Sequence, residues 1–82
     1  MPHVVFADSG CRVFTGGVGE VDVAAKTVGA MIDALEARFP GLGAHIERRM
    51  AVAIDGEIHQ DARDATLREA SEVYLIPRIG GG

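Results

Sequence analysis

Between Thr27 and Pro40 the chain carries its one strong helical signal: Val28, Met31, Ile32, Leu35 and Phe39 recur at i, i+3, i+4, i+7 and i+11. Thr27 suits the N-cap, and Pro40-Gly41 stops the helix. Asp33, Glu36 and Arg38 fall off the stripe and are expected to face water. A single apolar stripe must be buried against a partner, and in 82 residues the other apolar segments are short and strand-like. There is room for one small domain, a layer of sheet against one helix.

Pro2 to Ala7 is β-branched and aromatic, which predicts a first strand ending near Asp8-Ser9-Gly10. Glu20 to Ala24 alternates polar and apolar residues, the pattern of a half-buried strand. The glycine-rich stretch Thr15-Gly16-Gly17-Val18-Gly19 reads as a turn joining these two strands in an antiparallel hairpin. After the helix, Met50 to Ile54 forms a third strand closed by Asp55-Gly56, a dipeptide suited to a tight reversal, with Glu57-Ile58-His59 leading away. The polar segment Gln60 to Ser71 contains Leu67 as a lone plug into the core, and Glu72 to Ile76 is an apolar final strand suited to a sheet centre.

That order predicts an α+β chain, with a mixed sheet covered on one face by one main helix. A right-handed crossover lays the last strand parallel to the first, in the middle of the sheet. The arrangement is a β-grasp, ubiquitin-like domain over residues 1–79, followed by a flexible glycine tail at 80–82.

The rest of the sequence excludes more than it offers. A net charge of -4 with only Arg48-Arg49 as adjacent basic residues argues against nucleic acid. No stretch approaches the ~20 apolar residues of a membrane span. The single cysteine, Cys11, excludes an internal disulfide, fits a reducing cytoplasm and is expected to be a packed thiol. His3, His45 and His59 show neither i, i+4 nor compact Cys/His spacing, so no metal site is expected. Gly16-Gly17-Val18-Gly19 is not followed by the lysine of a phosphate loop, and Asp55, Glu57, Asp61 and Asp64 lie in polar turns where solvation explains them. No intrinsic catalytic residue emerges.

What remains is the end of the sequence, Ile76-Pro77-Arg78-Ile79-Gly80-Gly81-Gly82. Residues without Cβ atoms can enter a narrow slot in another protein and leave the terminal carbonyl unhindered. The carboxylate of Gly82 is accessible but inert, because oxygen is a poor leaving group, so activation has to come from a partner. A chain with a presented carboxylate and no active site of its own reads as a carrier rather than an enzyme.

Three blocks in this order, "TVGAMIDALEARFPG" at 27–41, "VAIDGEI" at 52–58 and "EVYLIPRIGGG" at 72–82, resemble the MoaD/ThiS family of ubiquitin-like sulfur carriers. The resemblance implies adenylation of Gly82 by an ATP-dependent enzyme related to MoeB and ThiF, then conversion to a thiocarboxylate that donates sulfur inside an acceptor synthase. It implies no bound cofactor. By position, Gly80 and Gly81 are the thin stalk, Pro77 stiffens the exit, and Pro77, Arg78 and Ile79 are candidate partner contacts; for Arg78 simple solvation is the other reading. Ala70-Ser71-Glu72 stands where the family usually has Gly-Asp. The resemblance points first to the small subunit of molybdopterin synthase, docking on its large subunit. "RVFTGG" and "LEARFPGL" also resemble carriers for cysteine biosynthesis, and thiamine and thiolated-tRNA routes use the same tail. A modifier forming isopeptide bonds and a passive β-grasp interaction module are the other readings.

Overall fold

The structure, a computed structural model, describes residues 1–60 and 62–78. Its five-stranded sheet runs β2-β1-β5-β3-β4, from β1 (His3–Phe6), β2 (Glu20–Asp22), β3 (Met50–Ile54), β4 (Glu57–His59) and β5 (Glu72–Pro77). The last strand is central, as expected. It lies parallel to β1 from His3↔Glu72 to Phe6↔Leu75 and antiparallel to β3 from Met50↔Pro77 to Ile54↔Val73. Val73 and Leu75 on β5 and Val4 and Phe6 on β1 are fully buried and form the floor of the core.

Among the described residues, two shorter helices, α1 (Ser9–Thr15) and α3 (Leu42–Arg49), share that core with the main helix α2 (Val28–Arg38). The expected stripe is right for α2, where Thr27 Oγ1 accepts from the Ala30 N–H at 3.1 Å and Val28, Met31, Ile32 and Leu35 are buried. Phe39, past the helix end, is partly buried and meets the Phe6 ring edge-on at 6.3 Å. The first-turn donors of α2 that no helical carbonyl can reach are satisfied from outside. Val28 N–H donates to Ala65 O at 3.0 Å and Gly29 N–H to Arg63 O at 2.7 Å. These bonds order the polar segment and seat Leu67, which is 4% exposed, in the core.

The off-stripe residues of α2 are not merely solvated. Glu36 accepts from Gly41 N–H at 2.9 Å and Gly43 N–H at 2.8 Å, so one carboxylate from α2 caps the N-terminus of α3. Asp33 pairs with Arg63 at 3.1 Å, and the Arg38 guanidinium lies 5.3 Å from the centre of the Phe39 ring. Asp55 also differs from the expected solvated carboxylate. Its Oδ1 accepts from Glu72 N–H at 2.9 Å and its Oδ2 from Arg68 at 3.3 Å. The Glu72 N–H and then Arg68 hold the carboxyl below its ordinary pKa.

β1 and β2 are antiparallel neighbours, but they are not a simple hairpin, since α1 stands between them. Gly16, at φ 67°, is the left-handed C-cap of α1 rather than part of a hairpin turn. The segment Glu57–His59 pairs back onto β3 as β4, through a reversal in which Asp55 and Gly56 both have positive φ. Before the final strand, Ser71 replaces the expected Gly-Asp turn chemistry with its own. It is 1% exposed, and its Oγ accepts from Arg68 N–H at 2.8 Å.

At the far edge His3 faces two carboxylates of β2, with Nδ1 2.9 Å from Asp22 Oδ1 and Nε2 3.2 Å from Glu20 Oε1. The Asp22 hydrogen bond raises the imidazole pKa above 6.5. Folding therefore favours the protonated ring, and this contribution is complete below the unfolded value of 6.5 and is lost as pH rises through the raised folded value. Urea unfolding across that window is expected to show wild type more stable than His3→Gln on the acidic side. The gap should close on the alkaline side.

Candidate functional site: the exit of the central strand

β5 is paired with β1 as far as Leu75 and with β3 as far as Pro77. Pro77 has no N–H to donate, and it lies two residues beyond the last β1 pairing, so its ring removes no ladder bond on that side. Alternation along the strand buries Val73 and Leu75 and turns Tyr74, 43% exposed, to the opposite face.

Arg78 is not a free surface charge. Its backbone N–H donates to Arg49 O at 3.0 Å, and its guanidinium donates to Glu47 O at 2.9 Å and to Gln60 Oε1 at 3.4 Å. Glu47 is in the last turn of α3, where carbonyls lack helical partners and a positive charge is favoured by the helix dipole. Arg78 thus clamps the end of the central strand to the end of α3, and the expected simple solvation is corrected. A recess of about 180 Å³ beside the clamp is lined by Val28, Ile32, Ile46, Met50 and Val52.

Of the sequence-designated residues, Pro77 is exposed at the strand end and Arg78 is half-buried in the clamp. Ile79, Gly80, Gly81 and Gly82 lie outside the described residues, as does the boundary between domain and tail. Asp61 is outside them too. Sequence reasoning missed the Glu47 partner of Arg78, which stands 31 residues away and uses only its backbone carbonyl. It also missed one side-chain cluster: the ligating atoms of Asp8, Cys11 and His45 lie within 4.8 Å of one another, although their spacing showed no metal pattern. Among the described residues, no helix is long and apolar enough to cross a membrane.

Comparison with known proteins agrees with this architecture. None of the curated proteins matches the chain significantly. Among solved structures, the matched chain of the Amycolatopsis orientalis BexX/CysO complex has a TM-score of 0.84 at 23% identity, covering 100% of both chains. Mycobacterium tuberculosis CysO has a TM-score of 0.85 at 20% identity, covering 96% of this chain and 100% of its own. SAMP1 from Haloferax volcanii has a TM-score of 0.69 at 24% identity, over 99% and 98% of the two chains. These likenesses establish the fold. The family follows from the model of the ThiS family, which matches residues 11–82, and so this chain belongs to the ThiS family of ubiquitin-like sulfur carriers.

Proposed function

We propose that the carboxylate of Gly82 is adenylated by an ATP-dependent, MoeB/ThiF-like partner and converted to a thiocarboxylate that delivers sulfur to an acceptor enzyme. The supporting observation is the clamp. The central strand is paired on both sides and held at Arg78, and the next four residues of the sequence are Ile79-Gly80-Gly81-Gly82. In the reaction, a carboxylate oxygen attacks the α-phosphorus of ATP and pyrophosphate leaves. A sulfide-level nucleophile supplied by a partner then displaces AMP from the acyl carbon, leaving a thiocarboxylate. Carrier carbon is not oxidised or reduced. Partners supply all the catalysis.

For the acceptor, the resemblance to small subunits of molybdopterin synthase names one candidate. A second comes from the other resemblance. "RVFTGG" and "LEARFPGL", the blocks similar to carriers for cysteine formation, meet in space, since a Cβ on Gly41 would lie 2.9 Å from the Phe14 ring. The likeness to proteins named CysO is consistent with that route. The likeness to SAMP1, described as a small archaeal modifier protein, supports a further role as a modifier attacked by lysine amines.

The test is ATP–pyrophosphate exchange with a candidate adenylating enzyme. Label is expected to exchange only when the full chain is present, and not when Gly82 is removed. Exchange that is equal with and without the chain contradicts the proposal. Feeding the charged carrier to each candidate acceptor then separates the routes, and ATP-dependent conjugates of higher mass identify the modifier role.

A further inference from the structure

Asp8, Cys11 and His45 converge from two elements. Asp8 is the N-cap residue of α1, Cys11 lies on its first turn, and His45 is on α3. Asp8 does not use its carboxylate to cap the helix, the usual role of an N-cap aspartate. The carboxylate lies instead over Gly10, where an added Cβ would stand 2.7 Å from Asp8 Oδ2 and 3.4 Å from His45 Nε2. Only the missing side chain of Gly10 leaves that space open. His45 Nε2 is sealed from solvent and has no hydrogen-bond partner, with the Phe14 ring against the imidazole at 5.1 Å. A buried nitrogen left unpaired in this way is costly unless something else satisfies it.

The chemistry of the donors decides what that is. Burial, with Asp8 adding to it, pushes the Cys11 thiol up to about 11, and the side chain is 0% exposed. With Cys11 fully buried no substrate reaches the sulfur, which removes a Cys–His catalytic pair from consideration. One sulfur, one imidazole nitrogen and one carboxylate oxygen form a donor set for a borderline-soft divalent ion. Calcium and magnesium, which take all-oxygen shells, do not fit it.

We propose that Asp8, Cys11 and His45 form a zinc site that ties α1 to α3. Tetrahedral bonds of ~2.0–2.3 Å place donor atoms roughly 3.3–3.8 Å apart, so side-chain rotations of about 1 Å bring the three atoms from their present spread into register. On binding, the thiol proton passes to solvent as the zinc–sulfur bond forms. His45 binds through neutral Nε2 and Asp8 through its carboxylate, and no electrons are transferred. Three protein donors leave a fourth tetrahedral position that no donor of the cluster fills. This site is separate from the strand exit and does not depend on the sulfur-carrier reading.

The test uses the full, untagged chain stripped of metal, with Co²⁺ as the spectroscopic probe. One equivalent is expected to produce a thiolate-to-cobalt absorption in the near ultraviolet with visible bands of tetrahedral intensity, and Zn²⁺ should bleach both. Zinc at hundredfold excess over its Kd should raise Tm by on the order of 10 °C. Cys11→Ser is expected to lose the thiolate band. Because Cys11 is a core residue, His45→Gln and Asp8→Asn at half-buried positions provide independent arms, each weakening zinc binding by at least about tenfold. A cobalt spectrum without a thiolate band, or equal zinc affinity in wild type and His45→Gln, overturns the site.

Discussion

Deleting Gly81 and Gly82 is expected to abolish adenylation while changing Tm by no more than about 2–4 °C. The second half of that expectation rests on where the stabilising contacts are. Among the described residues, the sheet pairings, the shared core and the Arg78 hydrogen bonds to Glu47, Arg49 and Gln60 are made without Gly81 and Gly82. Changes away from such features are normally worth within about 0.5 kcal/mol, and 1 kcal/mol shifts Tm by ~4–8 °C in a domain of this size. The first half rests on sterics. A partner that closes around the acyl carbon admits a stalk without Cβ atoms, so Gly82→Trp is also expected to reduce adenylation to background with an unchanged Tm. Thermal melts and adenylation assays on the same preparations check both halves. A matching fall in stability would assign the tail a structural role.

Leu75→Ala is expected to produce the reverse pattern, a large loss of stability for reasons unrelated to chemistry. Leu75 is 0% exposed on the central strand and pairs in register with Phe6 on one side and Val52 on the other. Removing it strips buried apolar volume where neighbours on both sides are tied into ladders and cannot close the gap. The cost is about 3–5 kcal/mol, against a total of ~5–15 kcal/mol for a typical domain. Tm should fall by at least ~10 °C. Val13→Ala, at a position 80% exposed, is the control and should lie within about 0.5 kcal/mol of wild type. A change below 1 kcal/mol at Leu75 would contradict the placement of this strand at the core.

The contrast between these variants reflects what is legible in a linear sequence. α2 was readable because several apolar residues recur on one stripe, and β5 because its apolar run suits a sheet centre, although only Val73 and Leu75 face the core and Tyr74 is exposed on the other face. α1 and α3 were not. α1 buries only Cys11 and Thr15, and α3 buries Leu42, Gly43 and Ile46, too little pattern to separate a short helix from a loop. The N-terminus of α3 is capped by Glu36, a residue that sequence spacing assigned to the solvent face of the preceding helix. The stretch around Gly16 was readable as a turn, but the positive φ that glycine allows serves a hairpin turn and a helix stop alike, and only the neighbouring elements distinguish them.

The site divides in the same way. The candidate tail is legible because its defining property, the lack of side chains, is local. The Arg78 clamp depends on a carbonyl of α3, which no residue type announces. The Asp8, Cys11 and His45 cluster depends on two helices whose existence the periodicity did not reveal.

Intact-mass spectrometry of the full chain, after incubation with ATP, the adenylating partner and a sulfur donor, puts the carrier role to its plainest trial. The expected product is heavier by the difference between one sulfur and one oxygen atom, with the change confined to a C-terminal fragment containing Gly82. An unchanged mass with an adenylating enzyme that charges other members of the family, or a change located elsewhere in the chain, would contradict it.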